Sequence, residues 1–155
     1  MAERDKSVGP SDETDTLMDA DRQAAQFERV RNAQQTEKAE DYVEMIDDLI
    51  NAYGEARVTD LAQRFGVSHA TVNKIIKRLQ RDGLVTSRPY RSIFLTEQGS
   101  ALAQASRERH QIVLNFLRAI GVSARNAELD AEGIEHYVSA ETLAAFEKMT
   151  SEKDG

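Results

Sequence analysis

Apolar side chains recur at helical spacing along most of the chain and at strand spacing in only one short region. Between Glu40 and Tyr53, the residues Tyr42, Ile46, Leu49 and Tyr53 stand at i, i+4, i+7 and i+11, with Met45 and Ile50 widening the stripe. Side chains at these intervals share one face of an α-helix, and Gly54 ends it. Thr59 can cap a short helix over Asp60–Phe65, closed by Gly66. Ser68 can cap the next, which runs to Arg81 and turns Val72, Ile75, Ile76 and Leu79 inward. Two strand-like runs follow, 84–87 and 92–96, joined by Arg88-Pro89-Tyr90-Arg91. A long helix over Glu97–Ile120 presents Leu102, Ala105, Ile112, Val113, Phe116, Leu117 and Ile120, and Gly121 closes it. Ser123 and Ser139 can cap two more, about Ala124–His136 and Ala140–Met149, the last with Leu143, Ala144, Phe146 and Met149 on its apolar side.

The ends of the chain lack this patterning. Residues 1–20 hold almost no large apolar side chain and cannot offset the entropy of ordering, so they read as a disordered tail. Asp21–Lys38 has one thin apolar edge, Phe27 and Val30, compatible with an extra helix or with disorder. Four segments result: a tail over 1–38, a helix, helix-turn-helix and hairpin over 39–97, a helical unit over 98–150, and a short tail over 151–155. The fold class is mainly α, an N-terminal winged helix-turn-helix with a small β-hairpin wing followed by an all-helical domain. A helical unit of about fifty residues with this many apolar positions completes its core by pairing with a copy of itself, so a homodimer is expected.

Charge sharpens the assignment. The chain of 155 residues carries −7, yet residues 56–91 hold eight Lys or Arg against two Asp, a net +6, which leaves −13 on the rest. One compact basic segment on an acidic body is the footprint of double-stranded DNA binding. The second helix of the pair should enter the major groove. There Ser68, Ala70, Thr71 and Asn73 can reach base edges, while Lys74, Lys77, Arg78, Arg88 and Arg91 position the module on phosphates. His69 reads as a solvent or phosphate contact. With no cysteine, disulfides, cysteine zinc sites and thiol catalysis are excluded, which fits a cytoplasmic protein. No apolar run approaches the roughly 18 residues of a membrane span, and the N-terminus has no secretory pattern.

Acidic faces are the second chemical feature. Glu132, Glu135 and His136 stand at i, i+3 and i+4, which on a helix would put two carboxylates and an imidazole on one face. The helix before Gly54 carries Asp41, Glu44, Asp47 and Asp48 on its polar side. A divalent cation would turn the repulsion within such groups into attraction, but solvated acidic faces are common. Spacing does not choose Asp41 and Glu44 over Asp47 and Asp48, and it does not single out His110.

Asp41-Tyr42-Val43-Glu44, the run from Val67-Ser68 to Leu79, Arg107-Glu108-Arg109-His110 and Asp130-Ala131-Glu132-Gly133-Ile134-Glu135-His136 together resemble the manganese-responsive branch of the diphtheria-toxin-repressor family of metalloregulators. The resemblance covers about residues 38–150. It implies that Asp41, Glu44, His110, Glu132, Glu135 and His136 hold Mn(II), one or two ions per subunit, with Glu44 and Glu135 bridging when there are two. It also implies repression of manganese-uptake genes when Mn(II) is bound. The chain departs from longer members by ending near residue 155, without a C-terminal SH3-like domain, and from the shortest by its N-terminal extension.

Ligand chemistry agrees with the manganese branch. Four carboxylates and two imidazoles form a hard set, where iron-responsive relatives carry softer Met and Cys at the places of Asp41 and Glu132. An iron-responsive or other divalent-metal regulator of the same family is the nearest alternative. A carboxylate-bridged metalloenzyme is the alternative from another class. Such sites use Glu-x-x-His, and here the residue three before His136 is Gly133.

Overall fold

A computed structural model describes residues 17–88 and 90–155. Its elements are α1 (Ala20–Tyr53), α2 (Val58–Phe65), α3 (His69–Arg81), β1 (Val85–Thr86), β2 (Phe94–Leu95), α4 (Glu97–Ala119), α5 (Ala124–Ile134) and α6 (Ala140–Asp154). Residues 1–16 of the tail expected over 1–20, and Pro89 of the wing turn, lie outside the described residues, and α1 begins at Ala20, inside that expected tail. No helix among the described residues is long and apolar enough to cross a membrane.

The first core forms where the stripes of three helices meet the hairpin. Tyr42, Ile46 and Leu49 of α1 pack with Leu61 of α2, with Val72, Ile76 and Leu79 of α3, and with Val85 and Ile93 of the wing. Each large apolar side chain buried here contributes roughly 1.5–3 kcal/mol relative to its exposure. Tyr42 also stacks on Phe65 with ring centroids 4.3 Å apart. β1 and β2 pair antiparallel, Val85 opposite Leu95 and Thr86 opposite Phe94, and Ile93 bridges to Ala56. A second core joins Val113, Leu114 and Leu117 of α4 to Ala127 and Ala131 of α5, and Phe116 stacks on Phe146 of α6 at 4.0 Å. Packing of α1 along α4 connects the two cores.

Several boundaries differ from expectation for identifiable reasons. Asp21–Lys38 and Glu40–Tyr53 are one 34-residue helix, started by Asp19, whose carboxylate accepts from the Arg22 amide, and the expected 38/39 border falls inside it. Its first half is solvent-exposed, Phe27 and Val30 included. Thr59 does not cap α2. The helix starts two residues earlier, with Arg57 as the cap residue and its amide donating to Asp60 Oδ2 at 3.2 Å. The paired parts of the wing strands are two residues each, because the ladder closes only beside β1. On α4, Ala105 and Ile120 face solvent while Ala103 and Ser106 are buried, a rotation of the inward stripe set by contact with α1. α6 continues to Asp154, through most of the expected tail, and leaves Ala144 and Met149 exposed.

Gly99, in the first turn of α4, allows that helix to pass close to the wing. A Cβ there would stand 2.0 Å from the Leu84 carbonyl oxygen. Gly99→Ala is therefore expected to destabilise the fold by about 1–3 kcal/mol. Thermal unfolding followed by circular dichroism measures it, and an unchanged midpoint would contradict the close approach.

Candidate metal centre and nucleic-acid interface

α5 ends at Ile134. The Glu135 amide donates to the Ala131 carbonyl and the Tyr137 amide to the Ile134 carbonyl at 3.1 Å, so the chain leaves the helix in a tight turn. Glu135 keeps a helical backbone, so Glu132 and Glu135 share one side of the helix end as the spacing suggested, while His136 lies in the turn that follows.

Glu135 points toward α4, with its Oε2 3.3 Å from His110 Nδ1; Glu132 Oε1 lies 3.6 Å from the same nitrogen. His136 points toward α1, with its Nδ1 2.7 Å from Glu40 Oε2 and its Nε2 3.3 Å from Asp41 Oδ1. Two groups of metal-type donors result, Glu37, Asp41 and His136 on one side and His110, Glu132 and Glu135 on the other, the offered atoms of each within 4.8 Å of one another. Glu135 Oε1 also lies 3.4 Å from His136 Nε2, so this carboxylate spans both groups. His136 and Glu135 are buried, Asp41 and His110 are partly so, and Glu132 is exposed.

Whether these residues suit a cation is decided by what is left unmatched. Glu44 Oε1 and Glu135 Oε2 are buried without a hydrogen-bond partner, and an unpaired buried carboxylate oxygen is costly. Burial raises the Glu44 carboxyl above its ordinary range, Glu132 and Asp41 add to the rise, and the Ser106 hydroxyl and Arg107 oppose it. A cation with oxygen and imidazole preferences would satisfy the Glu135 oxygen among its donor group, while Glu44 stands outside both groups. The donor set therefore fits a metal ion.

Fixed cations fill the remaining carboxylates. Arg107 donates to Asp47 Oδ2 at 2.5 Å and Asp48 Oδ1 at 2.6 Å, so that pair is already neutralised. Arg109 donates to Glu40 Oε1 at 3.1 Å. Spacing alone left Asp47 and Asp48 beside Asp41 and Glu44, and in the fold Arg107 of α4 pairs with Asp47 and Asp48.

Glu37, Glu40, Arg107, Arg109 and Tyr137 were not marked by sequence reasoning as parts of this site. Tyr137 Oη donates to Glu37 Oε2 at 2.7 Å. Glu37 stands at i, i+4 and i+7 with Asp41 and Glu44, a spacing present in the sequence but reaching across residue 38 into the weakly patterned segment. Glu40 had no such signal.

The basic surface lies at the other end of α1's partners. Ser68 caps α3, accepting from the Thr71 amide at 3.1 Å and bonding the Thr71 hydroxyl at 3.0 Å. Ser68, Ala70, Thr71, Asn73, Lys74 and Lys77 are exposed along the outer face of that helix. A groove of about 680 Å³ between α3 and the wing is lined by His69, Asn73, Lys77, Arg88, Tyr90 and Arg91, with Arg57 and Gln80 among the others. Gln80 braces the wing by donating to the Ser87 carbonyl at 2.8 Å. Arg78 is half-buried and donates to Gln35 of α1 at 3.0 Å, so it is already partly engaged.

A winged-helix reader joined through a shared helix to a cluster of metal-type donors defines a metal-dependent DNA-binding regulator. Residues 34–93 match the family model described as iron dependent repressor, N-terminal DNA binding domain, and residues 96–153 match iron dependent repressor, metal binding and dimerisation domain. The chain belongs to the iron-dependent-repressor family, the diphtheria-toxin-repressor family that its motifs resemble. It is 52% identical over 134 residues to the transcriptional regulator MntR of Escherichia coli O6:H1, covering 86% of each. A solved manganese-dependent transcriptional repressor in complex with manganese is similar at 29% identity with a TM-score of 0.60, over 73% of this chain and 52% of that one. The manganese regulator SloR is similar at 25% identity with a TM-score of 0.63, over 73% of this chain and 53% of that one. The chain spans about half the length of these two structures. Its family consists of regulators, and the metalloenzyme alternative falls away on that ground.

Titration of the centre follows from its burial. Glu135 is pushed up to about 7, first by burial and then by Glu132 and Glu44, against His110 and His136. Burial would lower His136, but hydrogen bonds to Asp41 and Glu40 outweigh it and bring it up to about 10. Both groups bind protons more tightly folded than unfolded. Their stabilisation is complete below the unfolded values and is lost as pH rises through the folded ones. In EDTA, the thermal midpoint is expected to fall as pH rises from about 4.5 to about 7 through Glu135, and Glu135→Gln should flatten that slope. An unchanged slope in the variant would show that Glu135 is not the titrating group.

Proposed function

We propose that this chain is a Mn(II)-dependent repressor in the cytoplasm that binds double-stranded operator DNA as a homodimer and silences manganese-uptake genes when manganese is plentiful. Asp41, Glu44, His110, Glu132, Glu135 and His136 are the residues that would hold the ion or ions, with Glu37 at the outer end beside Tyr137. The observation that carries the reading is the two adjoining groups of carboxylate and imidazole donors, joined by Glu135, whose Oε2 is buried without a hydrogen bond; Glu44 lies outside both groups but also keeps a buried oxygen without one. Mn(II), when bound, supplies positive charge that this set lacks and accepts oxygen donors readily.

The residues themselves explain how the state of this centre reaches DNA. Glu37, Asp41 and Glu44 lie on the same helix as Tyr42, Ile46 and Leu49, which form the core under α3. His110 and Glu135 belong to the helical unit that dimerises. Neutralised, the carboxylates of α1 and of the α5 turn hold the reader in one register on α4; unneutralised, they repel. In a homodimer a fixed register sets the spacing of the two α3 helices, near ~34 Å for adjacent major grooves of a palindromic operator. Ser68, Ala70, Thr71 and Asn73 face the bases in this reading, and Lys74, Lys77, Arg78, Arg88 and Arg91 the phosphates. Leu129, Ile120 and Met149, exposed on the helical unit, supply apolar surface for the dimer contact.

Operator affinity at fixed ionic strength is expected to be about 5- to 150-fold higher in Mn(II) than in EDTA, the usual range of coupling between two sites. His110→Ala and Glu135→Ala should each remove most of that difference while leaving the EDTA affinity in place. Equal affinity in Mn(II) and EDTA for the unaltered chain would sink the proposal.

A further inference from the structure

Glu40 and Glu135 are the two buried carboxylates among the described residues, and the fold uses them differently. Glu135 keeps an oxygen without a partner. Glu40 keeps none free. Its Oε2 accepts from His136 Nδ1 at 2.7 Å and its Oε1 accepts from Arg109 Nη1 at 3.1 Å. Occupied by two donors and enclosed, it has little to offer an ion.

The same contact leaves a particular nitrogen of His136 available. With Nδ1 taken by Glu40, Nε2 is the ring atom that faces Asp41 Oδ1 at 3.3 Å and Glu135 Oε1 at 3.4 Å. An imidazole that ligates through one nitrogen is commonly fixed in tautomer and plane by a carboxylate on the other. Arg109 completes the arrangement, because its second terminal nitrogen donates to the Glu135 carbonyl oxygen. One guanidinium thus ties the backbone of the turn to the α1 carboxylate that orients the ring.

We infer that Glu40, held by Arg109, is a positioning residue of the metal centre and not one of its ligands: it fixes His136 so that Nε2 is turned toward Asp41 and Glu135. The inference rests on the reading of the centre given under Proposed function. A carboxylate on α1 and an arginine on α4 set the ring from both sides of the contact between the two units, so the donor is oriented by the fold itself.

Mn(II) binding to the full chain, followed by electron paramagnetic resonance of the free ion at fixed pH, tests it. Glu40→Gln is expected to weaken the affected Mn(II) equivalent by about 10- to 100-fold, as loss of an orienting partner does. Glu40→Asp, which keeps the charge but withdraws it, should fall between. Because Glu40 acts through His136, the double variant Glu40→Gln, His136→Ala should bind no more weakly than His136→Ala alone. Nuclear magnetic resonance of the protein labelled with ¹⁵N-histidine and loaded with ¹¹³Cd(II) should show coupling to His136 Nε2 in the unaltered chain, and its loss or transfer to Nδ1 in Glu40→Gln. Unchanged binding in Glu40→Gln and Glu40→Asp while His136→Ala is weakened would overturn the inference and leave the metal reading standing. Losses that add in the double variant would also overturn it, since Glu40 would then act without His136. Unchanged binding in His136→Ala would overturn the metal reading and the inference together. Thermal unfolding in EDTA identifies any variant that fails to fold, and the remaining Glu40 variant then decides.

Discussion

Carboxylates placed side by side out of water repel, and the packing of α1 on α4 places several of them there. Coulombic repulsion between such groups is weak in water and grows as the surroundings become less polar. The fold answers with permanent cations where it can, Arg107 for Asp47 and Asp48 and Arg109 for Glu40. Imidazole nitrogens lie within 3.6 Å of Asp41, Glu132 and Glu135 without completing a hydrogen bond to the Glu135 oxygen. What remains is an oxygen each on Glu44 and Glu135. The metal centre is thus defined by the charge that the protein's own side chains leave uncompensated.

α1 connects this centre to the DNA-reading surface because its two faces serve different purposes. Its apolar face is the floor of the winged-helix core, and its acidic face meets α4 and the α5 turn. A change in the balance of charge on one face therefore bears on the seating of the reader. An effector shifts such an equilibrium only through its differential affinity for the two arrangements. The buried location of the unmatched oxygens is what makes that difference large, since an exposed carboxylate would be screened in either state.

Much of the fold was legible in the sequence. Stripes at helical spacing located the helices of both units, and Ser68, Ser123 and Ser139 cap where expected because an N-cap is a local hydrogen bond. Errors arose where local signals compete with contact. The first half of α1 has weak apolar patterning, yet continues helically from a strongly packed second half. Thr59 offered a cap hydroxyl, but the amide of Arg57 and the carboxylate of Asp60 pair two residues earlier. Ala105 and Ser106 exchange their expected burial because α1, not average hydrophobicity, determines the inner side of α4.

Sequence alone determined the elements and the separation of a basic reader from an acidic body, which depend on composition and on neighbours a few residues apart; the hard donor set was implied by the family resemblance of its motifs. Tertiary structure decided which acids are already neutralised by a fixed cation and which are gathered beside imidazoles. His136 meets Glu40 across 96 residues and Arg107 meets Asp47 across 60, and no periodicity reaches that far. It also decided the triplet at the end of α5: Glu132 and Glu135 meet His110 of α4, while His136, in the turn after Ile134, meets Glu40 and Asp41 of α1.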